Sequence, residues 1–138
     1  MNGNFEHKID AKGRLFIPSS LRDELGEVFH ITISNENCLN AFSKEGWKNF
    51  EENVRTMKLV EQPKMRPFFS NAQKCVLDSQ GRFVIPQYLR DRIGLKKDAT
   101  VVGTGTHVQI WDCEEFKRIN AQETDPEYLA KVMSELDF

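Results

Sequence analysis

An internal repeat restricts the fold of this chain more than any other feature of its sequence. Residues 10–26 match residues 78–94 at a constant offset of 68, with nine identities in seventeen positions. The identities are an Asp, a Gly-Arg pair, an Ile-Pro pair, a Leu-Arg-Asp triplet and a closing Gly. A fixed spacing of this kind indicates a duplicated structural unit.

The match continues beyond this segment, so the unit is larger than one turn and one helix. At an offset of 69, CLNAFSKEGW (Cys38–Trp47) aligns with HVQIWDCEEF (His107–Phe116). Each unit therefore has about 45 residues, which is too few to bury a core of its own. We expect the two copies to complete one shared core related by a pseudo-twofold axis.

Each unit is predicted to run through the same elements. FEHKID alternates apolar and polar residues like a half-buried strand, and AKG and SQG are turns in which Gly supplies a positive φ. RLFI and RFVI predict short apolar strands. Pro18 and Pro86 suit the first position of the two short helices that follow, each of which ends at a Gly.

The remaining segments predict hairpin strands and longer helices. VFHITIS with CLNAF, and ATVVGTG with VQIW, are the strands. SKEGWKNFEENVRTMKLV predicts a helix that begins with a capping box, Ser43 with a Glu at the third helical place, and DCEEFKRINAQ predicts a helix with an acidic first turn. EQPKMRPFFSNAQK, with two prolines, is interpreted as the linker, and DPEYLAKVMSELDF as a terminal amphipathic helix.

The predicted fold class is therefore α+β, with two tandem halves, short helices and a C-terminal helix around one core. The predicted divisions are residues 5–47 (first repeat), 48–73 (helix and linker), 74–117 (second repeat) and 118–138 (C-terminal helical tail). No apolar run approaches the ~20 residues of a membrane helix, and the first residues lack the pattern of a signal peptide. A cytoplasmic location is expected.

Cysteine usage gives no indication of a disulfide framework or a zinc site. Cys38, Cys75 and Cys113 are odd in number, widely spaced and contain no C-x-x-C pair. We expect all three to be small apolar side chains in a reducing compartment, and we expect no metal and no cofactor.

The net charge of −2 neither supports nor excludes a nucleic-acid partner. Residues 95–138 hold five basic and nine acidic side chains, whereas residues 44–75 hold seven basic and four acidic ones. A chain with this uneven distribution can present a basic face locally.

Two interpretations of the repeated D-x-x-x-R segment remain open from the residues alone. In the structural one, Asp10 accepts hydrogen bonds from the turn amides of Lys12 and Gly13 and so fixes the turn. Alternatively, it pairs with Arg14 across the turn. The second copy has the equivalent residues Asp78, Gly81 and Arg82.

In the functional interpretation, Asp10 orients Arg14 so that the guanidinium becomes a rigid fork. Such a fork suits a phosphate or a guanine edge in the major groove, which a two-stranded ribbon can enter. Lys8 and Lys12 lie on the same strand-turn-strand segment, with Arg22 one helix further on. The second copy has Val and Gln in place of these lysines, so the first copy is the better candidate.

Nothing in the sequence favours an enzyme. His7, His30 and His107 have no Ser or Cys companion in a catalytic setting, and GTGTH lacks the later Gly and Lys of a phosphate-binding loop. No catalytic residue is predicted.

The repeated segments resemble a known family. NGNFEHKIDAKGRLFIPSSLRDELG and KCVLDSQGRFVIPQYLRDRIG together resemble the MraZ family, bacterial proteins with tandem SpoVT/AbrB-like domains. Two D-x-x-x-R segments, each followed by I-P-x-x-L-R-D, carry the resemblance, which extends over almost the whole chain.

The resemblance implies a fold, a function and a set of residues. The fold is a swapped-hairpin, double-psi-like β-barrel core in a ring-shaped homo-oligomer. The function is that of a sequence-specific DNA-binding transcriptional regulator, expected to repress the division and cell-wall genes and its own promoter. Such a regulator would bind short direct repeats of double-stranded DNA and associate with the nucleoid. Carried over position by position, the D-x-x-x-R residues are Asp10, Arg14, Asp78 and Arg82, with Lys12 as the basic turn residue.

Together, the residue chemistry and the resemblance predict one site. The predicted DNA-binding residues are Arg14, Lys12 and Lys8, and the predicted turn-orienting residues are Asp10, Gly13, Asp78, Gly81 and Arg82. The alternative is an antitoxin-like or other partner-binding module on the same small barrel, whose acidic C-terminal helix holds another protein. No small-molecule substrate and no membrane partner is expected.

Overall fold

The structure is a computed structural model that describes all residues from Met1 to Phe138. The strands are β1 (Asn4–Lys8), β2 (Arg14–Phe16), β3 (Val28–Ile33), β4 (Cys38–Ser43), β5 (Gln73–Val76), β6 (Arg82–Val84), β7 (Asp98–Gly103) and β8 (Val108–Asp112). The helices are α1 (Ser19–Leu25), α2 (Lys44–Arg55), α3 (Arg66–Ser70), α4 (Gln87–Arg92), α5 (Cys113–Glu123) and α6 (Pro126–Glu135), with a 3₁₀ helix at Gln62–Met65.

Strands from the two halves pair with each other. Six of them form an antiparallel sheet in the order β1-β7-β8-β4-β3-β5, and β2 pairs with β6 in a separate antiparallel ribbon. β1 of the first half lies beside β7 of the second, and β5 of the second half lies beside β3 of the first. Each half therefore completes the sheet of the other.

The β2–β6 ribbon covers the core because short turns join it to both edge strands of the sheet. β2 follows β1, β6 follows β5, and Leu15 pairs with Phe83 at the centre of the ribbon. Both of these side chains point inward and are at most 2% exposed. The Phe83 ring makes an edge-on contact with Phe29 of the sheet, with centroids 5.0 Å apart.

One hydrophobic core contains side chains from both halves. It includes Leu21 and Leu25 of α1, Leu89 of α4 and Ile93 directly after α4. Helices of six or seven residues are not stable alone in water, so this docking holds α1 and α4 in place. The predicted α+β fold, with two halves around one shared core, is confirmed.

The residues at the helix starts differ from the predictions by one position, both at the prolines before α1 and α4 and at the Glu in the first turn of α2. Pro18 and Pro86 precede α1 and α4, with ψ of 142° and 146°, because the extended backbone of the strand continues through each proline. At α2, the Ser43 side chain accepts a hydrogen bond from Gly46 N at 3.1 Å. Glu45 is the second helical residue rather than the third, so the reciprocal bond of a capping box is not formed.

The proline-containing linker is largely helical. It forms the 3₁₀ helix and α3, each with a proline in its first turn, where the missing N–H breaks no helical hydrogen bond. Phe68 and Phe69 of α3 pack against Phe50 of α2, and Phe69 also meets Trp47. Thr32 of β3 donates a hydrogen bond to Phe68 O. An aromatic cluster thus attaches the linker and α2 to the sheet.

The terminal helix α6 is present as predicted and packs against α5. Asp125 caps it by accepting a hydrogen bond from Tyr128 N at 3.2 Å. Four apolar side chains on or directly after this helix remain at least 45% exposed, namely Tyr128, Leu129, Met133 and Leu136. None of the helices combines the length and the apolar character that crossing a membrane requires.

The three cysteines are buried and form no disulfide. Burial raises the pKa of Cys38 to about 11 and that of Cys75 to about 12, so both thiols are protonated at neutral pH. Cys113 is buried at the start of α5. All three pack as small apolar groups.

Candidate nucleic-acid interface

The first repeated turn is a closed loop between β1 and β2. Asp10 O accepts a hydrogen bond from Gly13 N at 3.0 Å, and Asp10 N donates to Arg14 O at 3.1 Å. Gly13 has a φ of +78°, a left-handed conformation that glycine adopts at low cost at the end of a tight turn. Lys12 is exposed at the tip of this turn.

The Asp10 carboxylate completes this turn and holds Arg14. Its Oδ1 accepts hydrogen bonds from Lys12 N and Arg14 N, each at 2.9 Å, and its Oδ2 accepts from Arg14 Nε at 2.6 Å. Hydrogen bonds from the Arg14 amide and guanidinium lower the pKa of Asp10 from 3.8 to about 2. Because Nε is engaged, the guanidinium is oriented and its two terminal Nη groups remain for an outside acceptor.

The turn contains both of the arrangements that the sequence left open. The Asp10 carboxylate accepts from the Lys12 amide and also pairs with Arg14. The Gly13 amide differs from the expectation, because it donates to the main-chain oxygen of Asp10 rather than to the side chain.

The second turn, between β5 and β6, repeats this geometry. Asp78 Oδ1 accepts from Gln80 N and Arg82 N at 2.9 and 3.0 Å, and Oδ2 accepts from Arg82 Nε at 3.1 Å. Gly81 has a φ of +77°. The hydrogen bond from the Arg82 amide is the main cause of the lowered pKa of Asp78.

The outer face of the β2–β6 ribbon brings the two arginines together. Side chains alternate along each strand, so Leu15 and Phe83 face the core whereas Arg14 and Arg82 face outward. In the antiparallel register the two arginines are diagonal neighbours, a relation that places residues about 7–8 Å apart. One ribbon face thus presents both guanidinium groups between the two turns.

The arginines of the repeated L-R-D triplets, Arg22 and Arg90, are packing groups. Each donates its Nε to the carbonyl of the Ile that precedes the repeated proline, at 2.7 and 2.9 Å respectively. Arg90 lies so close to Gly13 that a Cβ there would be 2.8 Å from its Cζ, and Arg22 lies in the same way against Gly81. Arg22 also stacks over the Phe16 ring, 4.6 Å from the centroid. Arg22, which the sequence places one helix beyond the first turn, is therefore engaged in packing.

A concavity beside the first turn collects basic side chains from both halves. Its volume is about 430 Å³, and its charged lining residues are Lys8, Asp10, Arg90, Lys96, Lys97 and Asp98. Lys97 O accepts a hydrogen bond from Ile9 N at 2.8 Å, and Lys96 N donates to Asp112 Oδ1 at 3.2 Å. The backbone that carries the two adjacent lysines is therefore fixed.

The corresponding surface beside the second turn lacks these lysines. Leu77 N donates to Glu27 O at 2.9 Å as the counterpart of the bond to Lys97 O, so an acidic residue takes the place of a lysine. The other counterparts are Val76 for Lys8 and Gln80 for Lys12. The two turns share a backbone geometry but differ in charge.

Lys96 and Lys97 are the candidate residues that sequence reasoning missed. They follow Gly94, where the second half has two more residues before its next strand than the first half has. A constant offset between the repeats does not align this insertion. The sequence feature that could have identified these two lysines is the lysine-rich insertion next to the repeated motif.

The histidines form no catalytic arrangement. Each one packs against an aromatic ring, His7 against Phe16, His30 against Trp47 and His107 against Phe42. Burial lowers the pKa of His30 and of His107. No group of His, Cys, Asp and Glu side chains is arranged to hold a metal ion.

The chain matches the sequence profile of one protein family twice in succession. The family is described as "MraZ protein, putative antitoxin-like", and the matches cover residues 1–66 and 68–132. The two matches correspond to the two halves that exchange strands in the structure.

Full-length relatives agree with this match. A protein named transcriptional regulator MraZ from Heliobacterium modesticaldum is 37% identical over 139 residues, which cover 99% of this chain and 96% of the relative. The protein of that name from Acetivibrio thermocellus is 38% identical over 138 residues, 97% of this chain and 96% of the relative. The protein of that name from Caldanaerobacter subterraneus is 42% identical over 115 residues, which cover 81% of this chain and 80% of the relative.

The names of these relatives are those of regulators and not of enzymes, which agrees with the prediction that this chain has no catalytic site. The double match and the near-complete coverage of the relatives lead to one conclusion: the chain belongs to the MraZ family.

Proposed function

We propose that the chain is a sequence-specific, DNA-binding transcriptional regulator that contacts DNA through the β2–β6 ribbon and the first turn. The observation that carries the proposal is the Arg14 guanidinium, which Asp10 holds through Nε on the outer face of the ribbon. The naming of the relatives as transcriptional regulators supports it.

The ribbon suits the major groove of DNA. This groove is about 12 Å wide, admits a two-stranded β-ribbon, and exposes the O6 and N7 acceptors of guanine to an arginine fork. We assign this base contact to Arg14, and contacts with flanking phosphates to the exposed Lys8 and Lys12. Arg82 lies on the same face, so the second half also contributes a side chain to this surface of the ribbon.

The proposed regulator acts as a ring-shaped homo-oligomer on direct DNA repeats. One protomer has few basic groups near the turn, which makes a weak and salt-sensitive site. Several protomers that present this turn on one side of a ring would bind successive repeats, and their effective concentration would multiply the affinity. In this proposal the protein represses the division and cell-wall gene cluster, including its own promoter, and is associated with the nucleoid in the cytoplasm.

The exposed apolar side of α6 supports an assembly of this kind. Leu129 and Met133 are 45% and 50% exposed and lie four residues apart, on one side of the helix. In the proposed ring, a neighbouring copy covers this side with a different surface, since head-to-tail contacts between unlike surfaces form a ring when the rotation between copies closes. The tail, residues 118–138, would then serve assembly, and the repeats, residues 5–47 and 74–117, would form the DNA-binding body joined by residues 48–73.

Replacement of Arg14 tests the proposal. In Arg14→Ala the Asp10 carboxylate keeps its two main-chain donors, so the turn is expected to remain folded. Loss of a base-reading arginine should weaken binding by about 1–3 kcal/mol, roughly 5- to 150-fold, and relax specificity at one base position. The measurement is footprinting on the upstream DNA of the protein's own gene, with the native mass determined for each variant.

Arg55→Ala is the matched control, since Arg55 is an exposed arginine at the end of α2 rather than on the ribbon. It should leave the footprint and the affinity unchanged. If Arg14→Ala also left binding and its salt dependence unchanged in a correctly assembled ring, the proposal would be wrong.

An antitoxin-like module that binds another protein is the second candidate. The description of the matching family and the uncovered apolar side of α6 favour it. A small dimer that fails to shift its own upstream DNA and forms a stable complex with a toxin protein would support this candidate. A large ring that shifts this DNA would exclude it.

A further inference from the structure

We infer that the concavity beside the first turn is a phosphate-binding site, formed by Lys8 of the first half with Lys96 and Lys97 of the second. The ligand is a phosphate group of the DNA backbone, next to the base that Arg14 contacts. This inference rests on the DNA-binding function proposed above and extends it, because it makes the DNA-binding surface a joint product of both repeats.

The site has a fixed backbone and free side-chain ends. Lys97 O accepts a hydrogen bond from Ile9 N at 2.8 Å, which ties the segment to the first turn. Lys96 N donates to Oδ1 of Asp112, a residue that is only 6% exposed. Two adjacent lysines are thus anchored through their main chains, while both side chains stay exposed to solvent.

The charge of the lining favours an anion. Three lysines and one arginine share the concavity with two carboxylates, those of Asp10 and Asp98. Asp10 is already paired with Arg14 at 2.6 Å, which leaves an excess of positive charge. On the far side of the two lysines, the Glu114 carboxylate is 3.9 Å from the ammonium of Lys117.

Comparison of the two halves separates this basic cluster from the needs of the fold. The same turn is built twice, yet Glu27 stands where Lys97 would be expected and Val76 stands in place of Lys8. The second half also has two additional residues, one of which is Lys96. The architecture does not require these lysines, so their concentration at one turn points to a ligand.

A backbone phosphate is the anion that fits this position. DNA carries one negative charge per about 1.7 Å of helix axis, so a ribbon in the groove has phosphates on either flank. A lysine ammonium acts as a point charge that suits a phosphate, whereas the planar arginine fork suits a base edge. The concavity lies beside the turn that carries Lys12 and precedes Arg14, at the flank of the ribbon.

The test is the salt dependence of DNA binding by the double variant Lys96→Gln/Lys97→Gln. The slope of log K against log salt should decrease in magnitude by about 0.9 for each phosphate that is no longer bound, hence by about 1 to 2 in total. The affinities for specific and for non-specific duplexes should fall by the same factor, because phosphate contacts carry no base information. Lys44→Gln/Lys48→Gln, two exposed lysines of α2, is the control and should keep the wild-type slope.

Ethylation interference gives a direct readout of the contact. Phosphates whose ethylation inhibits the wild type but no longer inhibits the double variant identify the groups that the two lysines bind. Inorganic phosphate and chloride, compared at equal ionic strength, separate a DNA phosphate from a free one. A DNA affinity that falls in the double variant by the same factor in both salts supports the inference. A difference between wild type and double variant that appears only in phosphate would overturn it, because it would identify free phosphate, rather than DNA, as the ligand.

The outcomes separate this inference from the function on which it rests. If the double variant kept the wild-type slope while Arg14→Ala lost specific binding, the phosphate site would be wrong and the DNA-binding function would stand. If wild-type protein of normal native mass bound no DNA, both would be wrong.

Discussion

At the scale of the residue, one carboxylate determines the geometry of each turn. Asp10 accepts two main-chain amides and one guanidinium N–H, so the group that closes the turn also orients the arginine. The structural and the functional interpretation of the D-x-x-x-R motif therefore describe a single arrangement. An asparagine could accept the amides but would not hold the guanidinium by charge.

The stability that Asp10 contributes should be lost at acid pH. Its pKa of about 2 in the folded protein lies below the ordinary 3.8, so folding favours the ionised form. The contribution is complete above about pH 4 and decreases as the pH falls toward 2. The lowered pKa of Asp78 acts in the same direction. Urea unfolding at a series of pH values should show a smaller acid-induced loss for Asp10→Asn than for the wild type.

Asp23→Asn is the control for this measurement, because Asp23 is an exposed aspartate on α1 outside the turns. Its acid-induced loss of unfolding free energy should match that of the wild type. Identical pH dependence in Asp10→Asn and the wild type would contradict the prediction.

At the scale of the elements, each turn is held by the helix of the opposite half. Arg90, in α4 of the second half, covers Gly13 of the first turn, and Arg22, in α1 of the first half, covers Gly81 of the second. The main-chain oxygens of both glycines also accept hydrogen bonds from the opposite half, at 2.8 and 2.9 Å. Each turn is therefore in direct contact with the other repeat.

Gly13→Ala should destabilise the protein through both the backbone and this contact. A positive φ costs a residue with a Cβ about 1–2 kcal/mol, and the Cβ at position 13 would also displace the Arg90 guanidinium. Gly94→Ala is the matched control, because Gly94 has a φ of +61° but no neighbouring atom within 4 Å of the added carbon. Urea unfolding should show a larger loss of unfolding free energy for Gly13→Ala than for Gly94→Ala. Adding Arg90→Ala to Gly13→Ala should recover part of this difference. Equal losses at the two glycines would show that the arginine contact is unimportant.

Local patterns predicted the type and order of the elements but not their partners. The alternation in FEHKID and the glycines of AKG and SQG indicate a strand and turns whatever else the chain does. Nothing in those segments selects β7 as the neighbour of β1, and only that pairing brings Lys97 beside the first turn. The packing role of Arg22 could not be predicted for the same reason, because it depends on a glycine in the other half.

At the scale of the whole molecule, the net charge hides two surfaces of different character. Within residues 95–138, Lys96 and Lys97 lie beside the first turn, whereas most acidic side chains lie on α5, on α6 or directly next to these helices. A net charge of −2 is therefore compatible with a basic surface at the ribbon. The apolar side of α6 belongs to neither the core nor the ribbon, which is why we assign it to assembly.

Charges placed on α6 should break the proposed ring without unfolding the body. In Leu129→Glu/Met133→Glu, the native mass should fall toward the 16.0 kDa of one chain, while urea unfolding of the core stays unchanged. Lys131→Glu, an exposed position of the same helix, is the control and should keep the wild-type mass. Native mass spectrometry is the measurement, and an intact ring in the double variant would exclude this helix from the interface.

The exchange of strands between the halves also determines when this protein can fold during its synthesis. Asn4 pairs with Val102, so the first strand has no partner until most of the chain has left the ribosome. Pairings between such distant residues slow folding, and unpaired strands are prone to aggregate in the meantime. Because the missing partner arrives on the same polypeptide, completion of the core depends on the progress of translation and not on meeting a second molecule.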